Sequence, residues 1–447
     1  MIPTEHKHRF AYHFTLIENL DSILTEGILS TNKKNKENIL HNDIANQEIQ
    51  LRRSKMTVTK GPGGVVHDYV PLYFAKRTPM LLSLIKSKNI DQIDVVYLAI
   101  KIDRILDDDV VFSDASANTV IPPNFYAKPK SLSKLYWPII DSWDWTYSEE
   151  HGEKNKKMAE MLIHEKIKIT DISHIVVWNN TYKEHVEEKL EELDIKNITV
   201  VTDYYRHFRY HYFCPIDQAK RTNLITGPRQ LKSLMARYIK STIEGKSEHT
   251  KFDSLEEAII EIQKDFKCIQ ELADIDGLKT DNPIHKEDVG AHSRSVAARV
   301  QSDDKFDSFT KEEQNCLILA AYLHDIGKGP KSRWKDEIQK VDEDHSKKSL
   351  PMLKRIFSED IDGWTKKQLR DIFILVIYDD LIGDIVANGR HTKQLTNIAK
   401  TKKQVDLLIA LGKADMGAIK EKWVTNNLDA IENLRQQAYE EIESKDD

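Results

Sequence analysis

Cysteine is scarce in this chain: three isolated residues, Cys214, Cys268 and Cys316, among 447. An odd, scattered set encodes neither a disulfide framework nor a thiolate zinc site. Long apolar runs are missing as well. The longest, LILAAYL at 317–323, falls far short of the roughly 18 residues that a membrane span requires. The polar start MIPTEHKHRF carries no signal-peptide pattern, and the chain has no internal repeat or low-complexity tract. Positive charge is not in excess either: 72 acids against 66 Lys and Arg leave a formal net charge of −6. That argues against a protein that coats nucleic acid by bulk charge, while leaving room for a local basic surface. The expectation is a cytoplasmic protein of a reducing compartment, with no membrane partner. Its 40% apolar and 31% charged residues suit a folded globular chain, long enough for two or three domains.

The first 213 residues mix short strand-like runs with loops. VVYLAIKI (95–102), DVVFSD (109–114), SHIVVW (173–178) and NITVVTD (197–203) are rich in β-branched residues and bounded by polar or turn residues. NLDSILTE (19–26) reads as a short helix with Leu20 and Leu24 on one face and Gly27 at its end. A second helix is predicted through TYKEHVEEKLEEL. Beyond residue 228 the strand signal fades. Helical patterns then run through QLKSLMARYIKSTI, SLEEAIIEIQKDFKCIQELADI, SRSVAARV, EEQNCLILAAYLHDIG, LPMLKRIF and KKQVDLLIALGKADM. Residues 214–250 carry seven Lys or Arg against three acids and read as the core of a basic helical joining segment, 214–260, with a solvated face. The expected organisation is therefore α+β over 1–213, the joining segment, and an all-α domain over 261–447.

Four segments of the first half could carry chemistry. His13 and Thr15 in AYHFTLIENL are two apart, so they share one face of a strand. Arg52 and Arg53 lie in EIQLRRSKMTV. A loop and strand, GPGGVVHDYVPLYFAKRTPMLL, contains Tyr73, and KKMAEMLIHEKI contains Glu160 among apolar neighbours. Singly, each has an ordinary explanation: a core histidine, a surface arginine pair, an acid facing water. Together and in this order, YHFT, NLDSIL, LRR, DYVPLYFAKRTPML and AEMLI resemble DarT, a family of DNA ADP-ribosyltransferase toxins, across residues 8–213. The resemblance implies the split sheet of the PARP-like transferases, with NAD as substrate in the central cleft.

Cleavage of the nicotinamide–ribose bond passes through an oxocarbenium-like transition state, as in glycoside hydrolysis. A carboxylate held at the ribose hydroxyls stabilises the developing positive charge, a role that falls to Glu160. His13 and Thr15 are candidates to orient the adenosine ribose, and Tyr73 to pack on the nicotinamide ring. Arg52 or Arg53 would grip the pyrophosphate or assist the nucleophile, since a guanidinium forks onto phosphate oxygens; the sequence does not choose between them. By resemblance the acceptor is a thymidine base in single-stranded DNA, the alternatives being RNA, a nucleotide or a protein. Two segments depart from the family pattern: Lys156 and Lys157 precede Glu160 where an arginine is common, and Ser113-Asp114-Ala115 replaces Ser-Asp-Gly. Glu160→Ala is expected to abolish transfer and leave the fold intact.

In the second half, His292, the pair His324-Asp325 and Asp415 occur in an order that resembles the HD phosphohydrolase superfamily over about residues 265–420. The resemblance implies a divalent ion held by these four. Imidazole with carboxylate suits manganese, iron, nickel or zinc, and an oxygen-rich site takes magnesium. Lys328, in HDIGK, would sit near a scissile phosphate. His345 is read as part of a second ligand set or as an acid. Asp379-Asp380 stand where many relatives carry His-Asp, which counts against a second metal. The whole is expected to be a two-domain enzyme of toxin–antitoxin or anti-phage defence, its HD domain a metal hydrolase, a regulator or a nucleotide sensor. DarT toxins usually meet a macrodomain antitoxin. No macrodomain pattern is apparent, which points to a separate antitoxin, to control by the HD domain, or to activation by an invader.

Overall fold

The computed structural model describes residues 1–39, 47–117, 122–143, 152–202, 204–205, 208–209, 211–213, 225–284 and 286–444. Cys214 and the end of the VVFSDASANTV segment lie outside them. The chain forms two compact units. One comprises Met1–Ile85 and Ile90–Leu224, the other Lys86–Asn89 and Ile225–Asp447. No helix among the described residues is long and apolar enough to cross a membrane.

The first unit is built on an eight-stranded sheet in the order Thr199–Thr202, Ile172–Val177, Val95–Lys101, Phe10–Leu16, Tyr69–Tyr73, Glu160–His164, Val110–Ser113 and Phe125–Tyr126. The four strands read from sequence are all present, within two residues at each end. Only the first listed pair is parallel; its neighbours run antiparallel. Val95 to Ile100 are all buried, the pattern of a strand covered on both faces. Phe10–Leu16 pairs with this strand along its whole length, from Phe10↔Lys101 to Leu16↔Val95. On its other side it meets Tyr69–Tyr73 at one position, Tyr12↔Tyr73. The sheet opens there, as a split sheet should. The helix Leu20–Glu26 buries Leu20, Ile23 and Leu24 in the core beside it. Gly27 ends that helix at φ +79°, where a Cβ would strike the Ile167 carbonyl.

The second unit is helical, with two two-residue strands. Its centre is the helix Lys311–Leu323, started by a Thr310–Glu313 capping box and buried at every residue from Cys316 to Leu323. The run that is too short for a membrane is thus the middle of a protein core. The predicted long helix over 254–275 is interrupted at Asp265. There the backbone is extended, and the side chain accepts a hydrogen bond from the Lys267 amide at 3.0 Å.

The joining segment requires correction. Helix Pro228–Glu244 sinks Leu231 and Met235 into the same core as the HD helices, so from Ile225 onward the stretch is part of the second unit. Its exposed basic face concealed an apolar one. Lys86–Asn89 is fastened into this unit as well. Asn89 donates to the Gly389 carbonyl at 2.9 Å and accepts from the His391 amide at 2.8 Å, while Gln394 donates to the Lys88 carbonyl at 2.9 Å.

Candidate active site and metal centre

Glu160 opens its strand, fully buried, opposite Tyr73. Its carboxylate is held by both arms of Arg53, Nη1 to Oε1 at 2.9 Å and Nη2 to Oε2 at 3.1 Å. Arg53 comes from the helix Gln47–Lys55 and is buried, whereas Arg52 is exposed. The structure therefore chooses between the two arginines: Arg53 meets the glutamate. Burial alone would lower the guanidinium pKa, but the charge and hydrogen bonds of Glu160 raise it above the ordinary arginine value. Arg53 is permanently charged. Tyr73 stacks on Phe14 with ring centres 5.9 Å apart. Burial first, and the Glu160 charge second, push its hydroxyl well above the usual tyrosine range.

The two departures from the family pattern have structural roles. Ser113 Oγ accepts from the Glu160 amide at 3.3 Å and donates to the Ala115 carbonyl at 2.7 Å. Asp114 accepts from the Asn124 amide and from Tyr126 at 3.0 Å each. Lys157 is buried and donates to the carbonyls of Ile139 at 3.0 Å and Ser142 at 2.7 Å. It anchors the segment before Glu160; burial, then Arg77, bring its ammonium down to about 8.

His13 and Thr15 do not share the face of Glu160. Tyr12, Tyr73 and Glu160 are successive cross-strand partners, and His13 and Thr15, offset by one, project oppositely. They line a small cavity of about 70 Å³ with Asn19 and Gly27. His13 Nδ1 lies 3.0 Å from the Pro71 carbonyl. A carbonyl only accepts, so Nδ1 carries the proton and Nε2 is left as an acceptor. Thr15 accepts from Asn19 at 3.0 Å, a partner that sequence reasoning missed.

Burial lowers the His13 pKa from 6.5 to about 4, against the raising effect of the Pro71 hydrogen bond. The folded state resists protonation while the unfolded chain takes up a proton near 6.5. Stability from neutral His13 is therefore complete above that pH and is lost as pH falls toward 4. The expected loss is about 3 kcal/mol, and urea melts of the parent and His13→Gln at pH 7 and 4.5 should differ by that amount.

A larger cavity of about 550 Å³ in the same unit is lined by Arg9, Lys76, Arg77, Trp143, His174 and Tyr12, among others. Arg77 lies 4.3 Å from the centre of the Trp143 ring. The scattered positions of these residues gave no sequence signal.

In the second unit, four helices and a turn converge. Asp288 caps Val289–Val300, which carries His292; Thr401 caps Lys402–Ile419, which carries Asp415. His324 and Asp325 follow the central helix. His292 Nε2 lies 2.8 Å from Asp415 Oδ1, and His324 Nε2 lies 3.7 Å from the same oxygen and 3.5 Å from Asp325 Oδ2. The four residues read from sequence thus do converge. His324 Nδ1 sits 2.8 Å from the Ala321 carbonyl, so its Nε2 presents a lone pair inward. Lys328 Nζ donates to Asp325 Oδ2 at 2.7 Å. Gly327 makes this turn possible, because a Cβ there would strike the His345 carbonyl and Ser349 Oγ. The close approach sets His345 Nε2 3.2 Å from Asp379 and 3.9 Å from Asp325.

Burial would raise the Asp325 pKa, but Lys328 and the three imidazoles hold it far below the carboxylate range. His324 Nε2, Asp325 Oδ1 and Asp379 Oδ1 are buried without a hydrogen-bond partner among the described residues. Bare buried donors are costly, and a cation would satisfy them. The ligating atoms of His292, His324 and Asp325 lie within 4.8 Å of one another, which fits a divalent ion.

Residues 12–206 match the family described as ssDNA thymidine ADP-ribosyltransferase, DarT, and residues 284–411 match the HD domain. The chain is 30% identical to the DNA ADP-ribosyl transferase of Thermus sp. (strain 2.9) over 185 residues, 40% of this chain and 87% of that protein. It is likewise 30% identical to the Escherichia coli O127:H6 enzyme of the same name, over 41% of this chain and 85% of that one. Among solved structures, Thermus sp. 2.9 DarT in complex with ADP-ribosylated ssDNA is similar at 27% identity and a TM-score of 0.42, over 48% of this chain and 99% of that one. The first unit is an NAD-dependent ADP-ribosyltransferase, and the second unit carries an HD domain. Through its first unit the chain belongs to the DarT family.

Proposed function

We propose that this protein transfers ADP-ribose from NAD to a base, thymidine, of single-stranded DNA. The observation that carries the reading is the buried Glu160–Arg53 pair beside the opening in the sheet. Glu160 is the catalytic carboxylate: it stabilises the charge that develops on the ribose as the nicotinamide bond breaks. Arg53, always charged, cannot serve as a base. It orients the carboxylate and polarises the acceptor or the pyrophosphate. Tyr73, across the strand from Glu160, packs on the nicotinamide ring. His13 and Thr15, in their own cavity, orient the distal ribose, with His13 Nε2 accepting from a ribose hydroxyl.

The 550 Å³ cavity supports a nucleic-acid acceptor. Its cations and aromatic rings are the groups that hold a phosphate backbone and stack a base. Mass spectrometry of oligonucleotides, RNA and protein incubated with NAD tests the acceptor. An adduct confined to thymidine of the DNA supports the reading, and one on RNA or protein replaces it. His13→Ala should raise KM for NAD about tenfold or more and change kcat little, because ribose contacts exist in ground and transition states alike. An unchanged KM with a collapsed kcat would place His13 at the reacting centre.

In the HD domain His292, His324, Asp325 and Asp415 would hold a divalent ion. When bound, the ion lowers the pKa of a water and so supplies hydroxide for attack on phosphorus. Lys328 faces the same centre through Asp325 and would steady a phosphate. Nucleotide turnover with added manganese separates a hydrolase from a sensor. A toxin or anti-phage role in the cytoplasm, restrained by a separate antitoxin or by the HD domain, is the biological setting that the transferase chemistry suggests.

A further inference from the structure

We propose that the HD domain holds a second divalent cation, between Asp325, His345 and Asp379, in a site harder than the first. The proposal rests on the reading of the first centre as a metal site. The three ligating atoms lie within 4.8 Å of one another. All three side chains are buried, at 1%, 5% and 3% exposure.

Each carboxylate has one oxygen engaged and one bare. Asp325 Oδ2 accepts from Lys328, and Asp379 Oδ2 lies 3.2 Å from His345 Nε2. Asp325 Oδ1 and Asp379 Oδ1 have no hydrogen-bond partner among the described residues. A buried carboxylate oxygen without a partner is expensive, and two of them beside one imidazole point to a cation.

Asp325 is shaped to bridge. Its Oδ2 is the oxygen 3.5 Å from His324, and its Oδ1 is the oxygen 3.9 Å from His345. The two oxygens thus address the two donor sets separately. The same outer device orients both histidines: His345 Nδ1 lies 3.0 Å from the Asp342 carbonyl, as His324 Nδ1 lies 2.8 Å from that of Ala321. Each Nε2 is thereby kept as a donor to metal.

The donor sets differ in kind. The first offers two imidazoles and two carboxylates, the second one imidazole and two carboxylates. Asp380 stands next to them, 3.8 Å from His345, but Lys88 neutralises it from 3.5 Å. Lys88 is itself buried and takes a left-handed φ of +52° to reach the site. With Asp379 where an imidazole would favour iron or zinc, the second set prefers the oxygen-loving ions, magnesium or manganese.

The test uses the full chain, stripped by a chelator and reloaded with Mn²⁺. Metal analysis should find two ions per chain, and electron paramagnetic resonance should show a coupled manganese pair. Asp379→Asn should halve the content to one and leave an uncoupled signal. Should that variant fold poorly by circular dichroism, Asp379→His serves instead: it should keep two ions and shift competition at the second site from manganese toward zinc. One manganese in the parent, unchanged by Asp379→Asn, overturns the second site and leaves the first standing. No bound manganese in the parent overturns both.

Discussion

Glu160→Gln should lower the rate of ADP-ribose transfer by roughly a hundredfold or more, with NAD affinity little changed. The carboxylate acts on charge that exists only in the transition state, so its neutral isostere loses catalysis and keeps shape. Glutamine is the informative replacement for a structural reason. The sequence alone suggested that Glu160→Ala would be silent in the fold, but the carboxylate is fully buried and grips both arms of a buried arginine. Alanine would strand the Arg53 charge inside the unit, a change that typically costs about 3–5 kcal/mol. Glu160→Ala should therefore lose activity and stability together, and Arg53→Met with Glu160→Ala should recover part of the stability but no activity. Near-normal single-turnover rates in a folded Glu160→Gln protein would remove this residue from the mechanism.

His324→Ala and Asp325→Ala should each lower metal content and melting temperature in step. Two imidazoles and two carboxylates gathered in an apolar helical core are unfavourable without a cation, and metal binding is linked to folding of the site it joins. Asp325→Ala should be the more severe of the two, because it also leaves the Lys328 ammonium buried without its 2.7 Å partner. The measurement is metal analysis of the purified chain and both variants, with melting recorded before and after chelation. A parent protein whose melting point moves with neither manganese nor chelator would make the HD domain a scaffold, and the transferase chemistry would stand without it.

Much of this was legible in the residues. The β-branched runs marked four strands because burial on both faces leaves a continuous apolar signature, as in Val95 to Ile100. The HD ligands were legible because family order fixes them, although Asp415 lies beyond the 284–411 match and required the helix Lys402–Ile419 to place it. What was hidden depends on three-dimensional proximity. Arg52 and Arg53 are neighbours in sequence, and only helix phase decides which one turns inward to Glu160. The interruption at Asp265 was invisible to apolar periodicity, which continues across it. The basic charge of 214–250 obscured the buried stripe of Leu231 and Met235. Asp379 read as a departure from a pattern, yet its distance from His345 makes it a partner.

One consequence follows from the four residues Lys86–Asn89, which pack with the helices that begin more than a hundred positions later. The HD domain is not a cassette. A fragment cut to start at Ile225 would arrive without Asn89, leaving the Gly389 carbonyl and His391 amide unmatched, and without Lys88 to answer the charge of Asp380. Grafting or deleting this domain by contiguous excision would thus remove a strut together with the load it carries. Its inheritance as a movable module must have included a local refit of the chain around Lys88.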